Sequence, residues 1–201
     1  MFHRKRTKRS TGQALVEFAL AATLIFTLLS AAVDLGLIFF TMQQLRAAAQ
    51  EGATFGSYPQ IYPENATSGE AVQRVDLNYS EIINRVRHSS GDKSGFANLL
   101  DLDNDGTDDG SQGSVLNYTS SSAYIYIQNL RYNNDDLTQA PTGSCATTTA
   151  RYQMRKAGEF CYVRVTVSYE YRFLFPLAPV FKDTIKLSAS YMVHVRSSFI
   201  G

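Results

Sequence analysis

Residues 12–40 form one apolar run broken by only two charges, Glu17 and Asp34. Sixteen uncharged residues separate the two acids. With a turn on either side the run reaches the roughly 20 residues that cross a bilayer as a helix. It is too long for a signal-peptide core, which spans about 7–15 residues. A carboxylate inside such a helix costs about 2.5–3.5 kcal/mol on insertion scales, so an acid is kept there where something satisfies it. The run points to a membrane-anchored chain that makes contacts through its helix.

Charge sets the expected orientation. Residues 1–12 carry five Lys or Arg and no acid, and only Arg46 lies close on the far side. The positive-inside rule then leaves the N-terminus in the cytoplasm and carries the C-terminal part across. Beyond residue 12 there remain fourteen basic and eighteen acidic side chains. That balance offers no basic face and no aromatic-basic interleaving, which argues against a nucleic-acid partner. The segments 173–181 and 191–195 are too short and too broken for a second span.

The helix does not stop at the membrane. Residues 41–53 are rich in helix formers, with Leu45, Ala48, Ala49 and Ala53 at helical spacing. One continuous helix from about Ala14 to Gly56 is expected, about 60 Å long, or twice the hydrocarbon thickness. Its small residues from Ala47 to Ala53 allow close approach of a neighbour. Residues 57–69, with Pro59 and Pro63, read as a linker. Val72, Val75, Tyr79, Ile82, Ile83 and Val86 predict a second helix over residues 70–88.

Polar loops are expected at 92–113 and 133–158. Strands are predicted by alternation at 123–131, 160–175 and 184–196. The expected fold is α+β: a long N-terminal transmembrane helix, then a small extracytoplasmic domain. That domain would hold one helix and a mostly antiparallel sheet of three or more strands. The expected divisions are a basic leader (1–12), the transmembrane and assembly helix (13–56) and the domain (57–201), which is long enough for its own core.

Three groups of residues are candidates for chemistry. Cys145 and Cys161 both fall in the part carried across the membrane. There the expected state is a disulfide closing a loop of about 16 residues, worth about 3 kcal/mol on the chain-entropy model; the alternative is two buried thiols. The run Asp101-Leu102-Asp103-Asn104-Asp105-Gly106-Thr107-Asp108-Asp109 fits an EF-hand-like calcium loop. Its ligands would be the side chains of Asp101, Asp103, Asp105 and Asp109 and the carbonyl of Thr107. Gln112 replaces the usual bidentate Glu, which would weaken binding; the alternative is an Asp/Gly-rich surface turn. His3, His88 and His194 share no ligand spacing, and the sequence holds no HExxH, Gly-x-Ser-x-Gly or phosphate loop. An enzyme is not expected.

The residues Gly12-Gln13-Ala14-Leu15-Val16-Glu17-Phe18 resemble the processing site of pilins and pseudopilins of the tight-adherence (Tad or Flp) pilus. The chain is similar to the TadE-like family more widely. Asp34-Leu35-Gly36 stands where that family commonly has an acid, an apolar residue and Gly. Gln44 to Ala53 looks like its small-residue motif with an acid-Gly-Ala ending, and the last two strands look loosely similar. Ala21-Ala22-Thr23 stands where the family often has a Pro.

The resemblance implies cleavage by a prepilin peptidase between Gly12 and Gln13, leaving Glu17 fifth and Phe18 sixth in the mature chain. It implies a bacterial inner-membrane protein whose partners are other pilin and pseudopilin subunits, the peptidase, the inner-membrane assembly platform and lipid. Glu17 would pair with the N-terminal amine of a neighbouring subunit, each charge offsetting the other's desolvation; the alternative is snorkelling to the headgroups. Asp34, seventeen residues on, lies on a different helix face at about 100° per residue. It reads either as an outer-interface residue or as a second assembly contact. The expected function is a minor pilin or pseudopilin that takes part in pilus assembly. The alternative is a permanently anchored, calcium-dependent sensor or adhesin that is never cut.

Overall fold

The computed structural model describes residues 11–64, 72–89, 95–111, 116–133, 135–145, 160–174 and 183–196. Helix formers dominate the first fifty residues and Pro is absent from them. The result is one uninterrupted helix, α1, Thr11–Gly56. After it come β1 (Gln60–Glu64), β2 (Val72–Asp76), α2 (Tyr79–His88), β3 (Ile125–Tyr132), β4 (Phe160–Arg172) and β5 (Thr184–His194). The architecture is α+β, with a long apolar N-terminal helix and an antiparallel sheet.

Alternating side chains place β4 at the centre of a three-stranded antiparallel sheet of order β3-β4-β5. Ile125 faces Val167 on one side of β4, and Tyr169 faces Leu187 on the other. Cys161, Val163, Val165, Val167, Tyr169 and Tyr171 turn one face of β4 into the core. Leu45, Ala48, Ala49 and Ala53 of α1 join that same core, as do Ile82 and Val86 of α2. The second half of α1 is thus wedged between α2 and the sheet. A smaller cluster of Leu130, Tyr132 and Tyr162, with Phe160 and Met192 against it, covers the opposite face of the sheet.

Two expectations need correction. The expected linker holds β1, which pairs with β2 in a separate two-stranded antiparallel sheet, Gln60 opposite Asp76 and Glu64 opposite Val72. Pro63 is tolerated because both strands of such a ribbon are edges. The expected second helix is a strand over its first part and becomes helical only at Tyr79. The reason is the cap: the Asn78 side chain accepts the Glu81 N–H at 3.1 Å, in the order Asn-Tyr-Ser-Glu that starts a helix. The apolar spacing of Val72 and Val75 fits a helix stripe, but these residues lie before the cap. The domain therefore carries five strands among the described residues, two more than the alternation showed.

Small residues in the second half of α1 were expected to admit a neighbour. The neighbour is this chain's own core. A Cβ added at Gly52 would lie 2.5 Å from Val86 Cγ2, so α2 can approach only because Gly stands there.

Candidate functional site

The helix α1 changes surroundings at Asp34. Before it, Leu15, Val16, Phe18, Leu20, Leu24, Ile25, Phe26, Leu28 and Leu29 are all exposed, at 58–72%. They lie all round the helix rather than on one stripe, the pattern of a segment that the other described residues do not cover. The helix is long and apolar enough to cross a membrane, and only 6% of its most apolar window is buried. From Gly12 to Val33 it rises about 33 Å at 1.5 Å per residue, which matches a hydrocarbon core of about 30 Å. After Asp34 a stripe of buried residues begins: Thr41, Leu45, Ala48, Ala49, Gly52, Ala53 and Gly56.

Asp34 itself is 1% exposed. Its Oδ1 accepts the Tyr171 hydroxyl at 3.2 Å and the Leu174 backbone N–H at 3.0 Å. Both donors come from the far end of β4 and the residues just after it. Burial, and then the bond to Asp34, push the Tyr171 phenol up to about 12, so it stays a donor throughout the physiological range. The sequence readings of Asp34, an outer-interface residue or a second assembly contact, do not include a bond to its own sheet. The acid near the top of the apolar run is satisfied within its own chain, where it locks helix to sheet.

A second tie lies nearly three turns further on. The Gln44 side-chain amide pairs with the backbone of residue 97, donating to the Ala97 carbonyl and accepting its N–H, each at 2.8 Å. Phe40 stacks on Phe96 beside it, with ring centroids 4.8 Å apart. Phe39 and Phe40 stay half exposed or more. Nothing in the sequence marks Gln44 or Tyr171 for these roles, because their partners are 53 and 137 residues away.

Glu17 is on the exposed half of α1. Its Oε1 accepts the Gln13 side-chain amide one turn earlier at 3.1 Å. Gly12 is helical, and a Cβ added there would meet nothing within 4 Å. Phe18 is 72% exposed. The four residues expected at the processing site therefore lie together on the first exposed turns of the helix, while Asp34 stands apart from them in the core. Residues 1–10 lie outside the described residues.

The acidic loop is held in place by three elements. Leu102 and Asn104 lie beside β4, where the Leu102 carbonyl accepts the Glu170 N–H at 2.8 Å and the Asn104 side chain donates to the Glu170 carbonyl at 3.1 Å. From α2, Arg87 pairs with Asp108. From α1, Gln44 holds the incoming segment. Within the loop, Asp101 accepts the N–H groups of Asp105 and Gly106, each at 3.0 Å. Gly106 has φ +94°, a conformation that suits glycine.

One carboxylate oxygen from each of Asp101, Asp103 and Asp109 lies within 4.8 Å of the others. Asp105 is not in that group; its Oδ1 takes the Thr107 N–H and hydroxyl. Asp109 is fully buried. Burial, opposed in part by its bond from the Leu102 N–H and reinforced by Asp103 and Asp101, raises its carboxyl to about 6. Gln112 lies outside the described residues. Cys145 and Cys161 form a disulfide across 6.0 Å between Cα atoms, which ties the segment after β3 to the first residues of β4.

With this geometry in view, residues 12–54 match the model for TadE-like protein. The helical segment is similar to that family over this stretch. No curated protein and no solved structure matches the chain. The TadE-like match contains Glu17, Asp34, Gln44 and Gly52, and it stops two residues before α1 ends. The last pair of strands, which loosely resembled the family, is outside it, as are the acidic loop and the disulfide. The TadE-like segment thus spans both halves of α1, the exposed one and the one that forms the domain's core.

Proposed function

We propose that the protein is a minor pilin or pseudopilin that takes part in assembly of a tight-adherence pilus and is cut by prepilin peptidase between Gly12 and Gln13. The observation that carries this reading is the TadE-like match together with the bare apolar half of α1 that it contains. Large side chains exposed all round a helix have two ordinary partners, lipid and the same helix of another subunit. A pilin-like chain meets both in turn. It waits in the inner membrane as a single-pass protein, N-terminus in the cytoplasm, and then exchanges lipid for neighbouring subunits.

Cleavage supplies the charge that assembly uses. A new amine at Gln13 would lie one helical turn from Glu17, at the level where the helix enters lipid. In the membrane those two groups face headgroups and water. In a subunit bundle the Glu17 carboxylate of one chain meets the amine of the next, which offsets the desolvation of both. Asp34 has a different task in this account: it closes the domain onto the helix at the membrane surface. The other pilin subunits are the partners of the exposed half, and the peptidase and assembly platform act on the cytoplasmic end.

Intact-mass analysis of the protein from its native membranes tests the reading. The expected chain begins at Gln13, and Gly12→Leu blocks its formation. An intact Met1 terminus in cells with active prepilin peptidase would contradict the reading and leave a permanent anchor instead. Glu17→Gln is expected to insert and to be cut, yet to lose co-purification with other pilus subunits. Unchanged co-purification would reduce Glu17 to a snorkelling residue.

A further inference from the structure

The acidic loop between α2 and β3 has no part in that reading. Asp101, Asp103 and Asp109 bring three carboxylates to one place. Acids cluster on many surfaces, but Asp109 is not on the surface. It is fully buried; one oxygen accepts the Leu102 N–H at 2.6 Å, and the other, Oδ1, is buried with no hydrogen-bond partner. A buried, unpaired carboxylate oxygen beside two further acids is a costly arrangement for a structural turn. Arg87 holds Asp108 and the Leu100 carbonyl through Nη2; its charge offsets part of the cost at Asp109 but gives Oδ1 no hydrogen bond.

We propose that Asp101, Asp103 and Asp109 hold a calcium ion. The donors are all oxygen, which selects a hard cation over zinc or copper. Oxygens held at 2.3–2.6 Å from one calcium lie no more than about 5 Å apart, and these three satisfy that limit. Magnesium demands a tighter, near-octahedral shell, which a loop offering three protein carboxylates from positions two and six residues apart does not supply. Waters complete the calcium shell.

Asp101, Asp103 and Asp109 are all in the ligand set read off the sequence; Asp105 leaves it, its Oδ1 being held by Thr107. The ion neutralises the acids at the point where the loop is tied to Gln44 of α1, Arg87 of α2 and Glu170 of β4, and so stiffens the strap that closes the domain around the helix.

The test uses the full chain in detergent, stripped with chelator and then titrated with calcium chloride, magnesium chloride or sodium chloride of matched ionic strength. Thermal unfolding is followed by near-ultraviolet circular dichroism. Calcium is expected to raise Tm saturably, on the order of 5 °C at a hundredfold excess over Kd, with magnesium giving clearly less. Asp103→Asn, at a partly exposed position, is expected to keep the fold and to shift the calcium midpoint at least tenfold. A Tm unmoved by 10 mM calcium relative to matched sodium would overturn the proposal. So would an Asp103→Asn variant that responds like the wild type, or an equal response to magnesium.

Discussion

The two halves of α1 share one backbone and one direction, yet they are built for different surroundings. The first half carries Leu, Ile and Phe and leaves them exposed. The second half is lined with Ala and Gly and buries them in the core. The more hydrophobic half is therefore the less buried one. Large side chains suit a fluid partner that adapts to any shape. Small ones suit strands and a helix that must come within contact distance of the helix backbone. Hydrophobicity alone would rank the halves in the wrong order for packing; side-chain size ranks them correctly. Asp34 marks the change, as the first residue of the helix that the sheet holds.

The sharpest way to break this comparison is to truncate one large side chain in each half. Leu45→Ala removes a side chain that is fully buried and is expected to lower the stability of the domain by about 2–5 kcal/mol. Leu24→Ala, 63% exposed in the wild type, is expected to stay within about 0.5 kcal/mol. Chemical unfolding in detergent measures both. Similar losses would mean that the first half also belongs to the domain. A smaller effect comes from adding bulk. Gly52→Val would drive a side chain into Val86, whose Cγ2 lies 2.5 Å from the added Cβ, at a cost of about 1–3 kcal/mol. Ala22→Val in the first half is expected to leave the unfolding midpoint of the domain unchanged.

Removing the lock comes next. Asp34→Ala leaves the Tyr171 hydroxyl and the Leu174 N–H without their acceptor, and a loss of about 1–3 kcal/mol is expected. Tyr171→Phe is expected to cost about 1 kcal/mol. Because the two residues share a bond, the double variant is expected to lose less than the sum of the single losses; additive losses would mean that the bond does not form in solution. The smallest effect is a pH dependence. Tyr171 keeps its proton in the fold until about pH 12, against about 10 in an unfolded chain. A raised folded value gives stability that is complete below pH 10 and is lost as pH rises towards 12. Unfolding curves between pH 9 and 11.5 should therefore fall less steeply for Tyr171→Phe than for wild type.

How much of this was legible in the sequence depends on how local the cause is. The continuous helix follows from composition over more than forty residues, and β3, β4 and β5 follow from strict alternation, so all were readable. The start of α2 was also written locally, in Asn78 and Glu81, but the apolar spacing from Val72 onwards fits a helix as well as a strand and outweighed the cap. The acids of the loop between α2 and β3 were readable as a motif; which of them converge was not, because that depends on Asp109 being buried and bonded to the Leu102 N–H. Asp34 shows the limit best. Its position marks it as an acid needing a partner, but the partner lies 137 residues away and no local pattern points to Tyr171.

The central claim is that one helix passes from lipid to protein at Asp34. The most direct test is electron paramagnetic resonance of single nitroxide labels, placed in turn at positions 20–53 of the full chain in bilayers, with oxygen and a water-soluble nickel complex as relaxants. The account predicts oxygen accessibility at every position up to about 33, whichever way the side chain faces. Beyond Asp34 it predicts an alternation with the helical period, in which Leu45, Ala48, Ala49 and Ala53 are reached by neither relaxant. The same one-sided alternation below Asp34, or oxygen accessibility all round the helix through Ala53, would contradict it.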